Sequence, residues 1–326
     1  MAEDGKIRAG AGRPQLKKAG NAMLEGILNA IPGAVAQGLI YGILALGVYI
    51  TFKLLDFADL TVDNSLCTGG AVCAMLLLNG WPMWLGLTAA VIAGMLAGAI
   101  TGFLHTVLKI PAILSGILTQ LGLYSINMRI MGKSNQPLLQ VDTLVTSGNN
   151  MQTMLVAGLF VAGVIAILYW FFGTEVGCAI RATGNNGKMA RALGVSTGAM
   201  TVLGLMLSNG MVGLSGALLS QYLGSSDINI GRGAIVIGLA SVIIGEVIFG
   251  SRFNFAYKLF SIVAGSVLYQ LVIAVVIQLG LGQQDLKLFS AVVVALALAM
   301  PVLQGKVKAS ANVKKGRKQA AMKGEE

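Results

Sequence analysis

The amino-acid sequence predicts an all-α integral membrane protein, a polytopic helical bundle of about eight or nine transmembrane helices with one broken or re-entrant element. Hydrophobic residues make up 56% of the 326 residues and charged residues only 11%, whereas a soluble domain has about 25% charged residues. The chain contains long charge-free windows and lacks the two-residue alternation of a transmembrane β-barrel. These observations favour helices that cross a bilayer.

A helix needs about 20 apolar residues to cross roughly 30 Å of hydrocarbon, and the windows of this length define the predicted spans. They cover, in chain order, residues 31–52, 61–79, 84–107, 111–131, 152–172, 197–222, 231–249, 256–280 and 285–303. The 44 glycines of the chain permit close helix packing in a membrane. We expect a transmembrane domain at 26–305 between a basic cytoplasmic tail at 1–25 and a basic, disordered cytoplasmic tail at 306–326.

Basic residues are concentrated at the chain ends, with five Lys or Arg in residues 1–18 and seven in residues 306–323. Cytoplasmic segments of membrane proteins carry such an excess of Lys and Arg. Contact with anionic lipid also accounts for the net charge of +10 without a role in nucleic-acid binding. The pattern predicts a multi-pass membrane protein whose N- and C-termini are both cytoplasmic.

The basic segment 173–196 is the reference point for topology, because Arg181, Lys188 and Arg191 place it in the cytoplasm. Four predicted spans follow it and return to the basic C-terminal tail on the same side. Five candidate spans precede it, an odd number that conflicts with a cytoplasmic N-terminus. Either one of the five does not cross, or the N-terminus lies outside.

The second predicted span opens with three acidic residues, Asp56, Asp59 and Asp63. Carboxylates are too costly to leave in lipid, so this backbone must be buried in protein or line water. We therefore expect the second element to be the broken or re-entrant one. The polar fourth span, 111–131, is the other candidate.

Polar residues within or beside the predicted spans are the candidates for a translocation pathway. They are Asp59, Asp63, Asn64, Gln120, Tyr124, Asn127, Asn209 and Glu246. The three on the fourth span recur at helical spacing, so they share one face. Interhelical hydrogen bonding is the alternative role for each of these side chains. An amino-acid zwitterion suits a passage with a carboxylate and helix N-termini nearby, and so do other small polar solutes.

The sequence contains no recognisable catalytic or cofactor site. The single histidine, His105, has no carboxylate or Cys at ligand spacing, and the three cysteines lack metal-ligand spacing. No Gly-x-x-x-x-Gly-Lys-Ser/Thr loop occurs. We expect a transport subunit rather than an enzyme, with no cofactor or metal in this chain and with ATP and Mg²⁺ on a separate ATPase. An ion-coupled secondary transporter or channel is the alternative, although the middle spans lack an ionisable relay.

The segment 180–195 is short, basic and helix-prone, and Gly194 supplies a C-terminal stop. Its pattern, Ile180-Arg-Ala-x-Gly-x-Asn-x-x-x-Ala190-Arg-Ala-Leu-Gly-Val195, resembles the coupling-helix loop of the permease family that includes the branched-chain amino acid, ribose and nucleoside ABC importers. In that family the loop docks in a groove on the cytoplasmic ATPase. An ordinary amphipathic connector between spans is the alternative.

This resemblance implies roles for particular loop residues. The residues expected to contact the ATPase are Asn185, Asn186, Lys188, Met189 and Arg191, and Arg181 is expected to anchor the loop near the lipid headgroups.

Further motifs narrow the resemblance to a subgroup. Segments 39–51, 55–63 and 123–132 resemble the tryptophan/tyrosine transport permeases, and the likeness covers about residues 25–305. It implies a permease subunit of an ATP-driven importer of a small polar solute, an aromatic amino acid, in a bacterial cytoplasmic membrane. The implied partners are a second copy of the permease, an ATPase dimer and an extracytoplasmic substrate-binding protein. The loop at 245–251 departs from the family pattern, because Glu246 stands where relatives often have glycine.

Overall fold

The computed structural model describes residues 12–139, 141–250, 254–278, 288–295 and 299, with side chains from Glu25 onward except Ile27. The tail predicted at 306–326 and the first eleven residues of the tail predicted at 1–25 lie outside the described residues. The rest of that N-terminal segment belongs to the first helix. The described chain is mainly helical, which confirms the predicted fold class at this level.

The helices are α1 (Gly12–Tyr49), which continues into a π-helical turn, η1 (Ile50–Leu54), then α2 (Val62–Leu78), α3 (Met83–Thr106), α4 (Ala112–Met131), α5 (Asn150–Gly173), α6 (Glu175–Ala192), α7 (Thr197–Leu223), α8 (Ala234–Phe249) and α9 (Phe255–Gln278). Residues 288–295 are also helical. Strands β1 (Asn135–Pro137) and β2 (Ser225–Asp227) pair antiparallel.

Five segments of the described chain are long and apolar enough to cross a membrane. They are Leu28–Leu54, Met83–Thr106, Asn150–Gly173, Thr197–Leu223 and Phe255–Gln278, whereas α2 and α8 are shorter apolar helices. The predicted number of eight or nine spans is therefore not confirmed.

Helix α7 forms the centre of the bundle and packs against α1, α2 and α3. Residues 208–213 of α7 are all buried. A Cβ at Gly69 of α2 would collide with the backbone of Gly213, so these two helices approach as closely as glycine allows. Small residues therefore let α2 contact α7 backbone to backbone.

Helix α1 runs antiparallel to α7. The Ser208 hydroxyl donates to the carbonyl of Gly47 (2.7 Å), and the Tyr222 hydroxyl donates to the carbonyl of Gly33 (3.3 Å). Because α7 starts directly after α6, residue Gly33 and the loop 180–195 lie at opposite ends of the bundle. The described start of α1 and this loop therefore do not share a side, contrary to the expectation that both are cytoplasmic.

The connection between η1 and α2 is irregular and lies inside the protein. Leu55, Phe57 and Asp59 are all buried, and Ser65 in the first turn of α2 donates to Oδ1 of Asn209, near the midpoint of α7 (2.6 Å). Helix α2 thus begins deep within the bundle. The irregular residues 55–61 include Asp56 and Asp59, whereas α2 and α4, the two candidates for a broken helix, are each continuous.

Candidate functional site

Asp59 belongs to a buried hydrogen-bond network at the start of α2. Its Oδ1 accepts from the backbone amide of Thr61 (3.0 Å), and its Oδ2 accepts from the side-chain amide of Asn209 (2.7 Å). The Asn209 amide group also donates to the carbonyl of Leu205 (3.0 Å). Asp59 and Asn209 are only 2% and 0% exposed. In this conformation Asp59 and Asn209 join the start of α2 to α7 by a hydrogen bond. Interhelical hydrogen bonding was the alternative to a role in the translocation pathway.

Asp63 caps the start of α8. Its Oδ2 accepts from the amide of Gly233 (3.1 Å) and its Oδ1 from the amide of Ile235 (2.9 Å). The first amides of a helix lack intrahelical partners and carry partial positive charge, so a carboxylate there supplies both hydrogen bonds and charge compensation. The carboxylate on α2 thus positions the N-terminus of α8 inside the bundle.

Asn64 and two α4 residues form a second polar group beside this network. The Asn64 amide group donates to the carbonyl of Gln120 (2.5 Å), and the Asn127 amide group donates to the carbonyl of Asn64 (3.4 Å). Asn127 is fully buried, and its Oδ1 has no hydrogen-bond partner among the described residues. A buried acceptor without a partner is costly, so this oxygen is available to a water or a ligand donor.

The other two predicted pathway residues lie apart from these groups. Tyr124 lies on the outer face of α4 and is 39% exposed. Glu246, near the end of α8, forms a salt bridge with Lys53 of η1 (3.0 Å). The structure therefore brings together residues from α2, α4 and α7, and it places Glu246 at the end of the bundle that carries α6.

Helix α6, which contains most of the loop 180–195, is bent. Asn186 has a non-helical backbone (φ −154°, ψ 85°) that divides α6 into two helical pieces. Its Oδ1 accepts from the amide of Met189 (3.1 Å) and so caps the second piece. Gly194, which has a positive φ of 84°, ends that piece, as the sequence predicted.

Arg181 anchors α6 to the protein itself. Its guanidinium donates to the carbonyl of Phe172 (2.5 Å) and lies over the rings of Phe172 and Phe255, at 6.0 Å and 5.5 Å from their centres. Gly184 packs directly against the backbone of Leu54, where a side chain would not fit. The guanidinium thus contacts two aromatic rings and a carbonyl, partners that the sequence did not reveal.

The remaining predicted coupling residues lie on the surface. Asn185, Asn186, Lys188, Met189 and Arg191 are all exposed. Met189 is 60% exposed and Leu193 is 71% exposed. This surface therefore presents apolar side chains beside the basic side chains of Lys188 and Arg191. Arg191 is oriented by a hydrogen bond from its Nε to the hydroxyl of Thr197 (3.0 Å). A face of this composition is suited to contact another protein.

A polar hollow of about 660 Å³ adjoins this face, between the α1–α2 connection, the α3–α4 turn and α6–α7. Asp56 and Lys109 both line it, and both have left-handed backbones (φ 52° and 58°). Non-glycine residues seldom adopt this conformation, and such strain concentrates at functional sites. The hollow also includes Arg191 and therefore extends the surface of α6.

Arg232 is a charged residue that the sequence-based search missed. It lies just before α8, is exposed, and lines a separate cavity. In the sequence it is the second residue of the predicted span 231–249, the usual position of a residue at the membrane edge. The packing of Gly231 against the backbone of Asp63 shows that the backbone beside Arg232 lies level with the start of α2, although the Arg232 side chain itself is exposed.

The sequence matches one protein family over most of its length. The family model described as the branched-chain amino acid transport system permease component matches residues 31–301. A tyrosine transport system permease protein of Clostridioides difficile is 41% identical over 272 residues, which are 83% of this chain and 91% of that protein. An uncharacterised protein of Rickettsia prowazekii is 31% identical over 83% of this chain and 98% of its own.

More distant similarities agree with this assignment. The inner membrane ABC transporter permease protein YjfF of Escherichia coli is 28% identical over 67% of this chain and 64% of its own. The solved structure of PsaBC from Streptococcus pneumoniae in complex with Fab includes a chain with a similar fold, at a TM-score of 0.51 and 13% identity, over 84% of this chain and 95% of that one. The chain belongs to the family of branched-chain amino acid transport permease components, the membrane subunits of ABC transporters.

Proposed function

We propose that this permease imports an aromatic amino acid as part of a complex of two permease copies, two cytoplasmic ATPases and an extracytoplasmic substrate-binding protein. The single observation that carries this proposal is the surface of α6. A bent helix, fixed to the bundle through Arg181, presents basic and apolar side chains to the outside. Such a helix can transmit a movement of the ATPase to the bundle.

The choice of cargo is supported by the relative named for tyrosine transport, which is 41% identical to this chain. Substrate-binding proteins select the cargo in importers of this kind, so the permease needs only a passage that tolerates a zwitterion with an aromatic side chain. The buried Asp59 and Asn127 and the half-buried Asp63 provide polar groups beside two helix N-termini for such a passage.

The proposed orientation places α6 in the cytoplasm. Lys53, Lys109 and Lys188 lie at the same end of the bundle as α6, and an excess of basic residues is typical of cytoplasmic loops. With α6 inside, the described start of α1 faces the extracytoplasmic side. The basic C-terminal tail, beyond the described residues, then lies in the cytoplasm after one more crossing.

The second permease copy is proposed to pack near α4. This helix contacts α2 and α3 on one side. Its opposite face exposes Leu121 (64%), Tyr124 (39%) and Ile126 (47%), together with Ser125. A face that mixes apolar side chains with hydroxyl groups suits a contact with a second copy along a hydrated passage. Gln120 and Asn127 lie about one helical turn before and after Tyr124 along α4, on the stripe that contacts Asn64.

We propose that the ATP-dependent movement of α6 is transmitted to the bundle through the irregular segment before α2. Gly184 of α6 packs against Leu54, which directly precedes the buried segment that carries Asp59. A shift of α6 would therefore displace the segment that ends at α2. Because ATP and cargo act at separate sites, each must favour a different conformation of the bundle for the two events to be coupled.

Charge reversal on α6 tests the proposed ATPase contact. The variant Lys188→Glu/Arg191→Glu should insert normally but lose substrate-stimulated ATPase activity in proteoliposomes that contain the ATPase and the binding protein. The matched control, Lys188→Arg/Arg191→Lys, keeps both charges and should retain most of the stimulation. Unchanged stimulation in the charge-reversed variant would contradict the proposal.

A further inference from the structure

A second cavity lies between α1, α8, α9 and the helical residues 288–295. It has a volume of about 480 Å³, within the range of small-molecule sites. Its walls include polar and aromatic side chains among aliphatic ones, the main residues being Gln37, Tyr41, Arg232, Val236, Tyr269 and Gln270. Arg232 is the charged residue among the described lining residues, so the cavity favours an anionic group.

Several polar groups at this cavity have no hydrogen-bond partner among the described residues. Tyr41 and Gln270 are each only 7% exposed, yet neither side chain forms a hydrogen bond with any part of the chain that the structure describes. Within the same part of the chain, the Arg232 guanidinium forms neither an ion pair nor a hydrogen bond. Buried polar groups are normally satisfied. The cavity therefore presents an unused set of one cation, one hydroxyl and one amide.

The position of Arg232 along the bundle makes the absence of a partner within the described chain more significant. The neighbouring Gly231 packs against the backbone of Asp63, and its amide contacts the sulfur of Cys67 (3.3 Å). This part of α2 lies beside Asn209, near the midpoint of α7 and about 20 Å along the helix from its end at Leu223. A guanidinium at this depth is costly in hydrocarbon and is expected to face an anion or water.

We propose that this cavity is a binding site for an amphipathic small molecule with one anionic group, a carboxylate or a phosphate, held by Arg232. Arginine offers a planar set of donors that matches both anions. The Tyr41 hydroxyl and the Gln270 amide complete the polar contacts, and Val236 with the tyrosine rings accommodates the apolar body of the ligand. This inference goes beyond the proposed function, because the site requires no partner protein; its amino-acid occupant alone rests on the proposed cargo.

Binding to the purified full chain in lipid nanodiscs tests the site. Radiolabelled L-tyrosine supplies a carboxylate in nanodiscs made only of phosphatidylcholine. Phosphatidylglycerol, measured as lipid retained in native mass spectrometry, supplies a phosphate in a second preparation. Arg232→Gln should weaken the binding of whichever anion occupies the site by about tenfold or more, because a charged hydrogen bond is lost. Arg232→Lys should have a smaller effect.

Two further variants separate binding from folding. Val236→Phe fills the cavity without a change of charge and should also weaken binding, whereas Lys133→Gln removes an exposed charge outside the cavity and should not. Loss of tyrosine binding alone identifies the amino acid as the occupant, and loss of phosphatidylglycerol alone identifies the lipid; either result supports the site. Failure of both ligands to bind, or binding that is unchanged in Arg232→Gln, would overturn it.

Discussion

The side-chain amide of Asn209 donates a hydrogen bond of 2.7 Å to Oδ2 of Asp59 and so links the middle of α7 to the irregular segment before α2. A buried carboxylate is costly unless its oxygens accept hydrogen bonds. Thr61 supplies the second donor through its backbone amide. The irregular segment before α2 is therefore stabilised by the central helix, which also receives a hydrogen bond from Ser65.

Removal of the Asn209 amide should destabilise the bundle. In Asn209→Leu the carboxylate of Asp59 keeps one donor and loses the other, which should lower the free energy of unfolding by about 1–3 kcal/mol. The change is measured by denaturant unfolding of the purified protein in detergent.

A double-mutant cycle provides the control for this prediction. In Asp59→Leu/Asn209→Leu both partners are apolar, so no buried carboxylate is left with an unfilled acceptor. The double variant should lose less stability than the sum of the two single variants. Additive losses would contradict a direct coupling between the two residues.

Asp63 should contribute to stability as the cap of α8. Loss of an N-terminal cap costs about 0.5–2 kcal/mol, so Asp63→Ala should lower the free energy of unfolding by this amount. Asp63→Asn should lower it less, because the amide oxygen still accepts from one backbone amide. Thermal unfolding and amino-acid uptake are measured side by side. If Asp63→Asn abolishes uptake at unchanged stability, the charge itself serves the passage and the capping role is secondary.

The sequence predicted the helical architecture and an unusual start of the second element because both depend on local composition. Nearly every predicted span lies within a few residues of an observed helix, and three nearby acids indicated that the start of the second element could not face lipid. The hydrogen bond between Asp59 and Asn209 could not be predicted from the sequence, because the two residues are 150 positions apart and meet only after α2 packs on α7.

The orientation of α1 and the position of Arg232 within the bundle could not be predicted from the sequence either. The basic residues near the N-terminus suggested a cytoplasmic start, whereas the contacts of Gly33 and Gly47 with α7 place the start of α1 at the end opposite α6. Arg232 was overlooked for the same reason. Its depth depends on an irregular segment that turns back into the bundle, and hydropathy averages do not detect such a turn.

The orientation of α1 can be tested with cysteine labelling. Glu25 and the native Cys178 are both exposed, at opposite ends of the bundle, whereas Cys67 and Cys73 are buried. In intact cells a membrane-impermeant maleimide should label Glu25→Cys in a Cys178→Ser background. Cys178 of the unmodified chain should be labelled only after permeabilisation. The reverse pattern would place α6 outside the cytoplasm and contradict the proposed ATPase contact.

Arg181 should be essential for the transmission of movement through α6, even though it lies outside the exposed face. Its guanidinium contacts the rings of Phe172 and Phe255 as well as the carbonyl of Phe172. Lysine keeps the charge but loses the planar group that lies over both rings. Because a cation–π contact contributes about 0.5–2 kcal/mol, Arg181→Lys should lower the equilibrium constant for anchoring of α6 by about twofold to thirtyfold.

The readout of this change is substrate-stimulated ATPase activity of the reconstituted complex, since a loosely held α6 can still bind the ATPase without moving the bundle. Stimulation should fall in Arg181→Lys, while pull-down of the ATPase should be retained. Phe255→Leu, which removes one of the two rings, should show the same pattern to a smaller degree. A parallel loss of ATPase binding would instead place Arg181 in the docking surface, and unchanged stimulation would exclude it as the anchor. The comparison of Arg181→Lys with Phe255→Leu thus distinguishes an anchoring role of Arg181 from a docking role.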